Sequence, residues 1–252
     1  MLYQVQQKLP ALSYLESHGE AFNRTDKDTG KWLFNTKKFQ DWSNGKPEVK
    51  GILVLGDPGV GKTCLVSLVI DHLQRTHGPS WVTYLYLHHQ EAEAQTPAKI
   101  VSSLLQQILS NYSTLPDIAI GLYDHLEQGP PQMEVLVATL LNLLKDKQTA
   151  FFLVLDALDE CKESYQPKLI TLLKQMLTAK VQLLVTCRPT SADIKDLFDM
   201  PSCITQQMRA TADDIQTFLA KKLESKKSLK SIINGQFQQN AIETIESKAQ
   251  GV

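Results

Sequence analysis

Cysteine is scarce in this chain: Cys64, Cys161, Cys187 and Cys203 are the only four in 252 residues, widely scattered and without a CxxC pair. That spacing disfavours a disulfide framework or a zinc site, and the apolar neighbours of the four favour buried free thiols, as expected in a reducing compartment. Neither sign of charge prevails, because 26 Lys and Arg stand against 27 Asp and Glu for a formal net charge of -1. No general phosphate-neutralising field is therefore present, which argues against a protein that works mainly by coating nucleic acid. Apolar runs fall short of the ~20 residues that a membrane helix needs, and the opening MLYQVQQKLP is too polar for a secretory leader. Internal repeats and low-complexity tracts are absent as well. The expected location is the cytoplasm, with no membrane partner and nucleic acid disfavoured. What remains is a globular composition, 42% hydrophobic and 21% charged, sufficient for one large domain or one domain with attachments.

Against that background one segment stands out. Gly56-Asp57-Pro58-Gly59-Val60-Gly61-Lys62-Thr63 fits the phosphate-loop pattern GxxxxGKT, between the apolar run Ile52 to Leu55 and a helical pattern beginning at Cys64. Glycine at 56, 59 and 61 lets the backbone curl with its amides turned inward, and the dipole of the departing helix adds to the attraction for an oligophosphate. Lys62 would carry its charge to the terminal phosphates, and the Thr63 hydroxyl would ligate a bridging magnesium ion.

The rest of the chain reads as alternating helices and strands. Pro10 to Phe22 predicts a helix with Leu12 and Leu15 near one face, not obviously part of the core, followed by a polar stretch to Lys31. The aromatic segment from Trp32 to Trp42 is expected to pack against the domain edge. After the loop, Leu65, Leu68, Val69, His72 and Leu73 predict a helix face turned to a sheet, ended by Gly78-Pro79. Strands are predicted at Trp81 to Leu87, Phe151 to Leu155, Val181 to Thr186 and Cys203 to Met208. Helices are predicted from Thr96-Pro97 to Leu109, over Met133 to Leu144 and over Gln166 to Thr178, while 111–132 reads as mixed and loop-like. Continuous apolar strands between helices imply an α/β fold with a parallel sheet sandwiched by helices. Beyond it, Thr211-Ala212-Asp213-Asp214 opens a helix with Ile215, Phe218 and Leu219, and a last helix covers Gln236 to Ala249. The expected organisation is an N-terminal helix and linker over 1–45, a nucleotide-binding core over 46–210, and the start of a helical region over 211–252.

Two further strand ends carry chemistry. The apolar run from Phe151 ends in Asp156-Ala157-Leu158-Asp159-Glu160, at the carboxyl edge where ligands bind in open α/β sheets. Asp156 would hold the magnesium, and Asp159 or Glu160 would polarise an attacking water; the alternative is an acidic helix start stabilised by its dipole. The strand ending in Thr186-Cys187-Arg188-Pro189 delivers an arginine that would sense a terminal phosphate, or else form a surface ion pair with Asp193 or Asp196. His88-His89 has no evident third metal ligand, so one is expected to be exposed and the other packed. Lys221-Lys222 and Lys226-Lys227 read as a solvated basic face.

Together these segments resemble the NACHT family of P-loop ATPases of the STAND class, in particular the fungal NOD-like receptor type that often carries ankyrin repeats. The resemblance rests on Thr29-Gly30-Lys31-Trp32-Leu33, Phe39-Gln40-Asp41-Trp42, GDPGVGKT, Gln95-Thr96-Pro97, VLDALDEC and LLVTCRP, and spans the chain from about Leu9 onward. It implies an ATP/ADP switch with Mg2+, in which ADP holds a resting form and exchange to ATP opens the module for self-association as a homo-oligomer. Carried over by residue, Gly56, Asp57, Pro58, Gly59, Val60, Gly61, Lys62 and Thr63, with Cys64 after them, would contact nucleotide. Thr63 and Asp156 would hold magnesium, Asp159 or Glu160 would activate water, Arg188 would act as sensor, and Thr29 to Leu33 would line the adenine pocket. The resemblance also implies that the Arg188 strand lies between the loop strand and the Asp156 strand. Family members continue into a winged-helix region, sensor repeats and an effector domain, so the ending at Val252 looks like a truncation, with the winged-helix histidine that touches ADP lying beyond it.

The leading expectation is a signalling switch that binds ATP and hydrolyses it slowly. The alternative is a non-catalytic nucleotide-binding interaction module. A GTPase or small-molecule kinase is disfavoured, because no NKxD-like guanine-reading motif and no evident acceptor pocket appear in the sequence.

Overall fold

The computed structural model describes residues 1–146, 151–179 and 181–209, with 214, 217, 240 and 244 singly. In chain order the elements are α1 (Leu2–Lys8), α2 (Tyr14–Arg24), α3 (Lys31–Phe34), α4 (Lys37–Ser43), β1 (Gly51–Leu55), α5 (Lys62–His77), β2 (Val82–Tyr86) and α6 (Pro97–Leu109). They continue with α7 (Ile120–Gln128), α8 (Met133–Asp146), β3 (Phe151–Asp156), α9 (Gln166–Thr178), β4 (Val181–Cys187), α10 (Ala192–Leu197) and β5 (Cys203–Gln207).

The five strands form one parallel sheet in the order β2-β3-β4-β1-β5. The Arg188 strand therefore lies between the loop strand and the Asp156 strand, as the resemblance implies. Every residue of β1 to β4 is buried, which a parallel sheet with helices on both faces requires. Strand alternation sorts the two cores. Phe151, Leu153 and Leu155 join Leu53, Val185, Val5 of α1 and the apolar faces of α6 to α10, whereas Phe152, Val154, Ile52 and Leu184 join α5 and α2 to α4. By the same period of two, Asp156 and Thr186 fall on the α5 face. The outer edge of β2 is closed by the Gln107 side chain, which donates to Tyr84 O and accepts from Tyr84 N at 2.9 and 3.0 Å.

The N-terminal segment departs most from the sequence expectation. The helix predicted over Pro10 to Phe22 begins only at Tyr14, and a separate helix, α1, precedes it; Pro10 holds Leu9 in extended backbone (φ -70, ψ 121) between the two. Leu15 points to solvent at 67% exposed, while Val5 and Leu9 are buried. Phe39 and Trp42, expected at the domain edge, are fully buried: the Trp42 ring lies 5.4 Å from that of Phe152 on β3, and Phe39 packs on Phe34, Trp42 and His72. Burying each contributes on the order of 2–3 kcal/mol. Because α2 to α4 cover its outer side, α5 buries residues nearly all round, Leu65 to Ile70 and Leu73. His72 packs among Phe34 and Phe39 rather than on the sheet.

The stretch 111–132 is not a simple loop: a tight turn at Asp117–Ala119 feeds α7, which buries Leu122 and Leu126. The spacing of those two leucines was the available sign of a helix. His88 and His89 are both exposed. Cys161 and Cys187 are buried free thiols, pushed up to about 11 and about 12 by burial, and Cys64 and Cys203 are half-buried and unpaired with one another. No helix among the described residues is long and apolar enough to cross a membrane. Apart from 214, 217, 240 and 244, the helices predicted after Thr211 and over Gln236 to Ala249, with the lysines at 221, 222, 226 and 227, lie outside the described residues.

Candidate functional site

Between β1 and α5 the chain turns through Gly59 (φ 81) and Gly61 (φ 98), left-handed conformations that residues with a Cβ rarely adopt. Its entry is pinned at both sides, with Gly56 N donating to Cys187 O at 3.2 Å and Met208 N to Leu55 O at 2.7 Å. Gly61 caps α5 and no side chain takes the first amides of that helix, which leaves a concave, amide-lined end with a positive dipole. Lys62 folds back over the loop and donates to Gly56 O at 2.6 Å and Asp57 O at 3.0 Å. Asp57, Pro58 and Gly59 form the exposed rim, with Val60 half-buried and Cys64 the third residue of α5.

Across from the loop stands Asp156, 2% exposed at the tip of β3. The Thr63 hydroxyl donates to its Oδ2 at 2.6 Å, and the Thr186 hydroxyl donates to its Oδ1 at 2.5 Å. Burial raises the Asp156 carboxyl above its ordinary range, while the two hydroxyls and the nearby Lys62 ammonium pull it back down. After Asp156 the backbone takes a left-handed step at Ala157 (φ 54, ψ 51), and a tight turn over Leu158–Glu160 sets two more carboxylates on the rim.

Arg188 meets both of them. Its Nε lies 3.2 Å from Asp159 Oδ2, its Nη2 lies 3.3 Å from Glu160 Oε1, and its backbone N donates to Asp159 Oδ1 at 3.3 Å. The ion pair is thus with the two acidic site candidates rather than with Asp193 or Asp196. Glu160 Oε2 also accepts from His89 N at 3.0 Å, which ties the end of β2 to the same cluster. The structure brings Lys62, Thr63 and Asp156 together at the loop, and Asp159, Glu160 and Arg188 together beside it.

A cleft of about 620 Å³ opens from Thr63 and Cys64, bounded by Tyr86, His88, Gln95 and the α2 side chains, among them Ser17 and Glu20. The wall formed by α2 was not anticipated. It docks through a hydrogen bond of 2.8 Å between His18 Nδ1 and Tyr86 OH and another of 3.0 Å between Thr25 and Ser67. Burial lowers the His18 pKa, with Asp71 acting in the opposite direction. A stripe of Tyr14, His18 and Phe22 at four-residue spacing was the sequence sign of this seam. Thr29 to Leu33 does not border this cleft: Gly30 lies against Leu65 and Leu68, and its amide donates to Asp214 Oδ1 at 2.9 Å.

Among the described residues no group of three or more His, Cys, Asp or Glu could hold a metal by itself. Thr63 and Asp156 instead supply two hard oxygen donors, the partial set with which proteins hold magnesium when phosphate oxygens and waters complete the shell.

Comparison with known proteins gives three findings. Residues 28–188 match the model of the family described as nephrocystin 3, N-terminal. The vegetative incompatibility protein HET-E-1 of Podospora anserina is 27% identical over 174 residues, covering 67% of this chain and 12% of that protein. This chain therefore corresponds to a small part of that relative. The crystal structure of Cdc6p from Pyrobaculum aerophilum superposes with a TM-score of 0.52 at 13% identity, covering 82% of this chain and 53% of that one, a likeness of fold alone.

Proposed function

The chain belongs to the nephrocystin 3 N-terminal family, and we propose that it is an ATP-binding module that hydrolyses nucleotide slowly and uses its ATP or ADP state to control conformation and self-association. One observation carries the reading: the hydroxyl that follows the loop lysine donates to a buried carboxylate on the neighbouring strand tip, Thr63 to Asp156 at 2.6 Å. With its proton committed to Asp156, Thr63 Oγ1 keeps two lone pairs with which it could ligate a divalent cation beside a phosphate chain.

The chain's own groups then have distinct tasks. The amides from Gly59 to Cys64 cradle the phosphates, and Lys62 exchanges the carbonyls of Gly56 and Asp57 for phosphate oxygens. Magnesium, held by Thr63 and Asp156, would neutralise phosphate charge and fix the geometry of the terminal oxygens. Glu160, or Asp159 beside it, accepts a proton from the attacking water. Arg188 trades its carboxylate partners for an oxygen of the terminal phosphate and returns when that phosphate leaves, so its position reports which nucleotide is bound.

The likeness to HET-E-1, a vegetative incompatibility protein of which this chain covers 12%, supports a signalling role. Assembly into homo-oligomers in the cytoplasm, with sensor and effector regions elsewhere in a longer protein, is what the resemblance to fungal NOD-like receptors adds to this reading. A second reading, a nucleotide-binding module without turnover, is favoured by one observation: both acidic candidates are engaged, Asp159 by Arg188 and Glu160 by Arg188 and the His89 amide. Isothermal titration with ATP, ADP and GTP, with and without magnesium, together with phosphate release, tests both. The switch predicts magnesium-dependent ATP binding, weaker GTP binding, slow turnover, and loss of ATP binding in Lys62→Ala. Binding without phosphate release would select the second reading, and a Lys62→Ala protein that binds ATP as wild type does would defeat both.

A further inference from the structure

We propose that Thr186 is the positioning residue of this site: one buried hydroxyl aims the Asp156 carboxylate and fixes the turn that carries Asp159 and Glu160. The proposal rests on the metal-binding reading of Thr63 and Asp156 given above. Thr186 is 0% exposed on β4, opposite Val54 of β1, on the face of the sheet that looks onto α5. A threonine hydroxyl has one proton and two lone pairs. The proton goes to Asp156 Oδ1 at 2.5 Å, and a lone pair accepts the Ala157 amide at 2.8 Å.

Both bonds act at places where little else does. Among the described residues the second oxygen of Asp156 accepts from Thr63, a residue of the phosphate loop itself, whereas Thr186 restrains the carboxylate from a strand outside the loop. Ala157 is the one non-glycine residue with positive φ among those described, a conformation that alanine adopts at a cost. Its amide is buried and donates to Thr186, so removing that hydroxyl takes away the acceptor of a buried N–H. Branching at Cβ confines the Thr186 rotamer on the strand, so the hydroxyl direction is set before any ligand arrives. Neither the phosphate-loop pattern nor the acidic strand end assigns this residue a task.

The test compares wild type, Thr186→Val and Thr186→Ser by titration with ATP in excess magnesium and in chelator, and by amide hydrogen exchange of Ala157 in the nucleotide-free protein. In Thr186→Val the chelator affinity is expected to stay within about twofold of wild type, the gain in affinity from magnesium to fall by about tenfold or more, and the Ala157 amide to exchange faster. Thr186→Ser, which restores the hydroxyl, is expected to recover most of both. A Val variant with the full magnesium gain and unchanged exchange, or a Ser variant as impaired as Val, would overturn the proposal. If wild type itself gains nothing from magnesium, the metal reading fails, and the Ala157 exchange alone then decides whether Thr186 fixes the turn. Should Thr186→Val not fold, Thr186→Cys, close in size with a weak donor, carries the same expectation.

Discussion

Removing Arg188 probes the proposed switch most sharply, because its guanidinium is shared between two carboxylates that the mechanism needs elsewhere. Its side chain is 45% exposed, while the partners are 9% exposed at Asp159 and 27% at Glu160. At 3.2 Å and an effective dielectric near 20, the gross attraction to Asp159 is about 5 kcal/mol, most of it cancelled by the hydration each charge gives up. Exposed pairs retain roughly 0–1 kcal/mol and charge-assisted hydrogen bonds of shielded groups about 1.5–3 kcal/mol. The half-shielded pair of Arg188 and Asp159 is therefore expected to couple by about 1–2 kcal/mol. A cycle of Arg188→Ala, Asp159→Asn and the double variant, followed by denaturant unfolding, measures that coupling without nucleotide. Repeated with a saturating non-hydrolysable ATP analogue and magnesium, the coupling should fall to within about 0.5 kcal/mol of zero, the usual error of such cycles, and with ADP it should return. Equal coupling with and without the analogue would refute the idea that Arg188 leaves its carboxylates for a phosphate.

Other expectations follow from the same contacts. Trp42→Ala, which empties a fully buried site against Phe152, should cost about 3–5 kcal/mol in denaturant unfolding, whereas Leu15→Ala on the solvent side of α2 should stay within about 0.5 kcal/mol. Burial depresses the pKa of His18, so its contribution to stability is intact above the ordinary histidine pKa and is lost as pH falls through that value toward the folded one. Thermal melts should thus drop more between pH 7.5 and 5 for wild type than for His18→Gln, and equal drops would contradict the assignment. Cys161 and Cys187, raised to about 11 and about 12, should resist alkylation at pH 7.5 until the protein is unfolded, as mass spectrometry of labelled peptides would show.

Much of this site could be read from the residues because its parts are local. A glycine-rich turn between an apolar run and a helix, and polar residues at the ends of otherwise continuous apolar strands, announce themselves within ten positions. The resemblance to fungal NACHT-type P-loop NTPases is borne out by the family match and the likeness to HET-E-1, and the sheet order it implies is the one observed. What escaped the sequence reading depends on partners far along the chain. Nothing near Arg188 signals that it meets Asp159 and Glu160 from the adjacent strand, and nothing near His18 names Tyr86 as its partner. The burial of Trp42 is set by Phe152, on a strand over a hundred residues later in the sequence. Pro10 misled in a different way: it is tolerated in a first helical turn, but here it ends one helix and delays the next.

The central claim is that Thr63 and Asp156 hold a divalent cation against the phosphates caged by the loop. Manganese substituted for magnesium makes that contact visible, because its unpaired electrons broaden the phosphorus NMR signals of nearby phosphates. Protein-bound ATP should show broadened β- and γ-phosphate signals in wild type beyond those of free manganese–ATP at matched concentrations, with the excess lost in Asp156→Ala while ATP binding in chelator persists. Identical broadening in wild type and Asp156→Ala would contradict it.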